Sequence, residues 1–240
     1  MTKGLITMKI GLLQCDHIAE PFQHIIRDYP ERFRDLFARY APEIELVVYD
    51  VCHGQLPAAV DECAGYLTTG SKYSVYDDID WIHALADFVR SLHESRQKLV
   101  GICFGHQMIA HALGGSVAKS DHGWGIGSKP VQLLKLKPWM QPEKSAYQLL
   151  LSHQDQVQSL PEEAEIIGSN EHCPISMFTI GEHFLGIQAH PEFTAPYAEA
   201  LMDSRVERIG MPAISAAKET LQTPTDEAEV SQWIQSFLTS

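Results

Sequence analysis

Lys98-Leu-Val-Gly-Ile-Cys103-Phe-Gly-His-Gln-Met-Ile-Ala-His111 carries a short apolar run into Gly101-x-Cys103-x-Gly105 and out into residues of helical character. This is the layout of a nucleophile elbow with cysteine in the place of serine. The flanking glycines permit a tight strand-to-helix turn that side chains would crowd. Such a turn leaves the thiol at the carboxyl end of a strand and beside a helix N-terminus, where unpaired N–H groups favour thiolate. Cys103 is therefore a candidate nucleophile, although a buried structural cysteine in an ordinary strand-helix turn has the same local sequence.

The 240 residues suffice for one large α/β domain, expected to span 1–240 with a core from about 8 to 210 and a helical tail over 213–240. A formal charge of -13 gives no basic footprint for nucleic acid or anionic lipid, so neither is expected as a partner. The five cysteines form no CxxC pair, which suits a reducing compartment better than a disulfide framework. The start, Met1 to Met8, has no long apolar segment, and no later stretch approaches membrane-spanning length; a cytoplasmic protein is expected.

Working outward from the elbow, Lys9–Gln14 reads as a buried first strand, Pro30–Tyr40 as a helix and Ile44–Tyr49 as a second strand. A β-α-β opening implies a right-handed crossover and a parallel sheet. Cys15-Asp16-His17, at the end of the first strand, reads as ordinary loop polarity and stays outside the catalytic set. Pro57–Glu62 is expected as a short helix before the strand Gly65–Thr69. That strand runs into Gly70-Ser71-Lys72, where a glycine lets backbone N–H groups approach an anion. The N–H of Gly70 is a candidate oxyanion donor, to be paired with that of Phe104.

Asp80–Arg96 is an amphipathic helix with Asp80 as its expected N-cap and with His83 and His93 on the solvated side. His106 and His111 are five apart and share no helix face, so no metal site is expected there, nor any cofactor. Trp124 is either a substrate wall or part of a bulged connection. Ser152-His153-Gln154-Asp155 is a polar cluster at a strand end, and short strands over 165–167, 174–180 and 183–188 add antiparallel structure to the parallel core.

The strand 183–188 leads into Ala189-His190-Pro191-Glu192. In an extended segment His190 and Glu192 project to one side, and a histidine held by a carboxylate is the base half of a triad. The order Cys, His, Glu differs from that of α/β-hydrolases, which place the acid before the histidine. A turn opening a helix through Tyr197 to about Ile209 is the competing reading of this stretch.

Gly101-Ile-Cys103-Phe-Gly105-His-Gln107 together with Gln188-Ala-His190-Pro-Glu192-Phe resemble the two signature segments of class I, triad-type glutamine amidotransferases. The resemblance covers roughly Met8 to Gly210. It implies a doubly wound, mostly parallel sheet of flavodoxin-like type with flanking helices, and a smaller antiparallel sheet. It further implies Cys103 as nucleophile, His190 as base and then acid, Glu192 as its orienter, and the N–H groups of Gly70 and Phe104 as oxyanion hole. Gln107, Ser152, His153 and Asp155 are implied near the bound glutamine.

Two features depart from the family pattern. Lys72 follows Gly70-Ser71 where a proline is frequent, which predicts a looser oxyanion loop, and no synthetase domain is fused within these residues. The expected activity is hydrolysis of the glutamine γ-amide through a γ-glutamyl thioester, with ammonia passed to a synthetase or acceptor subunit in trans. A free-standing γ-glutamyl peptidase and a catalytically silent binding module are the alternatives. Tyr73, Trp124 and Asp77-Asp78 are candidate specificity contacts by loop position.

Overall fold

The computed structural model describes residues 7–240. Met1 to Ile6, on which the reading of the chain start rests, lie outside them. The elements in chain order are β1 (Met8–Gln14), α1 (Glu20–Ile26), α2 (Tyr29–Tyr40), β2 (Ile44–Asp50), β3 (Gly65–Thr68), α3 (Asp80–Glu94), β4 (Lys98–Ile102) and α4 (Phe104–Ala112). They continue with β5 (Ser116–Lys119), β6 (Gly125–Leu133), β7 (Ala146–His153), β8 (Asp155–Ser159), β9 (Ala164–Ser169), β10 (Met177–Ile180) and β11 (Phe184–Ile187). Four helices close the chain: α5 (Ala195–Asp203), α6 (Val206–Ile209), α7 (Met211–Thr220) and α8 (Glu227–Thr239).

Nine strands form one sheet in the order β2-β1-β3-β4-β11-β10-β9-β6-β7, and β5 pairs with β8 in a separate ribbon. The strands from β2 to β11 are mutually parallel, and the remaining four continue the sheet antiparallel. The parallel strands are apolar on both faces because helices cover both. Ile10, Leu12, Val100 and Ile187 pack under α2, α5 and α8, while Leu13, Tyr66, Leu99 and Phe184 pack under α3 and α4. The doubly wound expectation holds. The tail adds to this core, since Val230, Trp233, Ile234 and Phe237 of α8 are buried in it.

Local chemistry sets the boundaries. Asp28 accepts from the Tyr29 N–H as the cap of α2, and Pro30 occupies its first turn. Three expectations are corrected. Residues 57–62 form turns, because the Glu62 carboxylate takes the N–H groups of Ala58 and Ala59 that a helix would direct along its axis. Ile79 is the cap position of α3 and Asp80 its first-turn acid. His93 is half-buried between Glu163 and His183, to which its ring nitrogens lie at 3.2 and 3.0 Å. Among the described residues no helix is long and apolar enough to cross a membrane.

Candidate active site

Packing forces the elbow. A Cβ on Gly101 would lie 2.4 Å from the Gly105 carbonyl, and one on Gly105 would lie 1.5 Å from Thr68 Oγ1. The chain therefore turns sharply at Cys103, which adopts φ 51° and ψ -94° at the cap position of α4. A non-glycine residue at such an angle is strained, at a cost on the order of 1–3 kcal/mol. The Cys103 N–H donates to Ile187 O at 2.9 Å, which ties the elbow to the neighbouring strand β11. Its sulfur accepts from Gln188 Nε2 at 3.4 Å, and Gln188 Oε1 accepts in turn from Gln107 Nε2 at 3.1 Å.

His190, the candidate base, is placed by the same strand pair. β4 and β11 are adjacent, with Ile102 opposite Ile187, so the residues leaving both strands emerge side by side. His190 donates its N–H to Leu150 O at 2.9 Å, and its ring stacks on Phe193 with centroids 3.8 Å apart. The Nδ1 atom faces Glu192 Oε1 at 2.8 Å, both side chains being buried. Arg32 Nε donates to the Glu192 carbonyl at 2.5 Å and anchors the acid from α2. Burial opposes charge on the imidazole, but the Glu192 carboxylate and the Cys103 sulfur outweigh it and raise the His190 pKa.

Gly70 lies against this histidine: a Cβ there would sit 2.8 Å from His190 Cε1. Thr69 Oγ1 accepts from the Cys15 N–H and donates to the Gly70 carbonyl, which fixes the peptide after the strand. The N–H of Phe104, as the first of α4, has no partner within its own helix. At the loop expected to be looser, Lys72 has a partner of its own. The Lys72 N–H and Nζ each donate to the buried carboxylate of Asp16 at 2.9 Å, so an ion pair holds the turn where a proline would stiffen it.

Cys103 stands between two lobes of one cleft. The first, about 430 Å³, is lined by Asp16, Tyr29, His190, Phe193, Tyr197 and Arg205 among others. The second, about 180 Å³, is lined by Gln107, Trp124, Ser152, His153, Asp155 and Arg208 among others. Gln107, Ser152, His153 and Asp155 thus share one lobe. The Asp155 carboxylate is already engaged by the hydroxyls of Ser74 and Tyr76, and its carbonyl accepts from Gln107 at 2.9 Å. His153 is buried, and burial holds its imidazole neutral far below its ordinary pKa. Tyr73 lines the second lobe, whereas Asp77 accepts from the Ser74 N–H within its own turn and Asp78 is exposed beside His83.

Arg205 belongs to both lobes and was not legible beforehand. The helix expected to run to Ile209 breaks between α5 and α6, where Ser204 Oγ donates back to Leu201 O at 2.8 Å. Arg205 sits in that break, with φ -119°, and donates to Ser152 Oγ at 2.9 Å. Arg205 and Arg208 both lie over the Trp124 ring, at 5.5 and 5.2 Å. Asp16 and Gln188 had one signal each, a place at the end of a parallel strand and a place beside the His190 segment.

The model of the class-I glutamine amidotransferases matches residues 60–204. The chain belongs to this family. It is 30% identical over 186 residues to gamma-glutamyl peptidase 3 of Arabidopsis thaliana, with 73% of this chain and 75% of that one covered. It is 33% identical over 178 residues to the glutamine-hydrolyzing GMP synthase of Porphyromonas gingivalis, with 70% of this chain and 32% of that one covered. The fold is similar to that of a glutamine amido transferase from Methylobacillus flagellatus, with TM-score 0.75, 22% identity, and 97% and 93% of the two chains covered. This class-I amidotransferase is accordingly a cysteine-dependent enzyme of the hydrolase or amidotransferase type. The matched segment holds Gly70, Cys103, His190 and Glu192, while Asp16, Arg205 and Arg208 fall outside it.

Proposed function

We propose that this amidotransferase hydrolyses γ-glutamyl amides, with Cys103 as nucleophile, His190 as acid and base, and Glu192 as the group that orients it. The placement of Cys103 beside the buried His190–Glu192 pair carries the reading. The Cys103 thiolate attacks the γ-carbonyl carbon, and the carbonyl electrons move onto an oxygen held by the N–H groups of Gly70 and Phe104. Collapse of this adduct breaks the C–N bond as the His190 proton passes to the departing nitrogen. Water then attacks the γ-glutamyl thioester while His190 accepts its proton, and free glutamate leaves as the thiolate is restored. Gln188, which donates to the sulfur, holds it in position.

The leaving amine must lie on the histidine side of Cys103, in the larger lobe. A water-sized product such as ammonia needs only about 10–15 Å³. The 430 Å³ available there favours an amine carried by an amino acid or short peptide, as in γ-glutamyl peptides. Arg205, which binds no carboxylate among the described residues, is positioned for the carboxylate of such a group. Glutamine, with its γ-glutamyl part in the smaller lobe, is the minimal substrate. Delivery of ammonia to a separate acceptor subunit is the second role compatible with the same centre.

A panel of glutamine, glutathione and other γ-glutamyl peptides tests the proposal. Glutamate release from peptides at higher kcat/KM than from glutamine, abolished in Cys103→Ala, is expected. Undiminished turnover in that variant refutes the assignment of the nucleophile. Turnover of glutamine alone, rising when an acceptor subunit is added, replaces the peptidase reading with the partner-dependent one.

A further inference from the structure

At the carboxyl ends of β1 and β2, away from the elbow, four side chains of mixed chemistry converge. His17 follows β1, while Asp50, Cys52 and His53 follow one another at the end of β2 and in the short 3-10 turn of residues 51–53. One ligand atom from each lies within 4.8 Å of every other. We propose that His17, Asp50, Cys52 and His53 form a zinc site.

The spacings are those of a coordination shell. Asp50 Oδ1 lies 3.3 Å from His17 Nε2 and 3.3 Å from Cys52 Sγ, and an Asp50 oxygen lies 2.9 Å from His53 Nδ1. Cys52 Sγ is 3.9 Å from His53 Nδ1. Tetrahedral zinc with bonds of about 2.0–2.3 Å places its ligand atoms roughly 3.3–3.8 Å apart. Two nitrogens, a sulfur and an oxygen suit zinc, whereas magnesium and calcium demand oxygen throughout.

The surroundings of His17 give an independent indication. Its Nδ1 lies 2.7 Å from Asp28 Oδ2 and 3.0 Å from Gln14 Nε2, and its Nε2 is the atom turned toward the other three ligands. Asp28 is itself held by the N–H groups of Ile18 and Tyr29 and by Gln14 Nε2. A carboxylate behind a ligating histidine fixes its tautomer and raises its basicity, the usual support of a metal-binding imidazole.

Four protein ligands close the coordination sphere, so the ion has a structural role. Binding releases the Cys52 thiol proton to solvent. The ion cross-links the loop after β1 to the turn after β2, and that loop carries Asp16, the holder of Lys72. The site thus stiffens the wall of the larger lobe, to which His17 also contributes.

The test is made on the full chain, stripped of metal and then supplied with zinc or cobalt(II). Uptake of one zinc per chain is expected, with a higher melting temperature. The cobalt form should show an intense tetrahedral visible spectrum and a thiolate-to-cobalt charge-transfer band. Cys52→Ser removes that band, His53→Ala lowers occupancy, and Cys103→Ala retains both. Failure of the wild-type chain to retain zinc overturns the proposal, as does a charge-transfer band that survives Cys52→Ser or disappears in Cys103→Ala. None of these readouts depends on hydrolytic activity.

Discussion

The Asp16 carboxylate holds Lys72 twice, by its backbone N–H and by its ammonium, each at 2.9 Å. Only one of these bonds depends on the lysine side chain. Lys72→Ala keeps the N–H and should retain most activity. Lys72→Pro removes the N–H, leaves Asp16 buried without it, and should lower kcat about tenfold, as should Asp16→Asn. Steady-state kinetics of the three variants check this; a worse Lys72→Ala than Lys72→Pro would refute the account.

Cys103 stores backbone strain that glycine would release. Cys103→Gly and Cys103→Ala both lack the thiol; glycine gives up a buried methyl group and adds freedom to the unfolded chain, but it escapes the strain that alanine bears at positive φ. The glycine variant should be more stable than the alanine variant by about 1–2 kcal/mol. Urea unfolding of the inactive pair measures the difference directly.

Gly70 is required by the imidazole facing it. Gly70→Ala brings a methyl group within 2.8 Å of the present His190 Cε1 position and pushes the ring from the sulfur. A displacement on the order of 1 Å costs roughly 100-fold in rate. The expected result is a fall in kcat with cooperative unfolding preserved, read by kinetics and thermal melts together.

Arg205 should govern recognition of the leaving group. Arg205→Gln removes charge-assisted bonds worth about 1.5–3 kcal/mol, so KM for γ-glutamyl peptides should rise roughly 10–100-fold with little change in kcat. Hydrolysis of glutamine should change less. An equal rise for both substrates would move Arg205's role to the γ-glutamyl end.

The pH dependence of stability has two limbs. Burial depresses the His106 pKa from 6.5 to about 3, so its neutral form contributes stability above pH 6.5 that is lost as the pH falls toward 3. Once the unfolded chain is protonated, the slope is about 1.4 kcal/mol per pH unit. His190 has the opposite sign: its raised pKa contributes stability that is full below 6.5 and lost as the pH rises through the folded value. Urea titrations across pH should show the acid limb flattened in His106→Gln and the alkaline limb flattened in His190→Asn.

The parallel core was legible because its strands are short apolar runs and its helices carry single apolar stripes, as α3 does with Ile82, Leu85, Val89 and Leu92. The elbow was legible because both glycines flank the cysteine in the sequence, although Gly101 is forced by Gly105 close by and Gly105 by Thr68 on β3. Arg205 was hidden, since the segment around it keeps a helical pattern and contains neither glycine nor proline; a serine hydroxyl turned back on its own helix makes the break. Asp16 is inconspicuous in the sequence because its partner, Lys72, lies on another strand's loop. His17 and the Asp50–His53 turn were separated in the same way, although β1 and β2 pair with Gln14 opposite Asp50.

β4 and β11 lie side by side although residues 103–183 intervene. Cys103 and His190 are therefore anchored at the root of a long excursion, and the ribbon and antiparallel strands that carry Ser152 and Asp155, with the loop before β6 that carries Trp124, form an arm on that root. Exchanges at Trp124, in the loop before β6, can reshape what the enzyme accepts while β7 keeps the imidazole seated through the Leu150 carbonyl. Recognition and bond breaking can thus diverge along separate stretches of one chain.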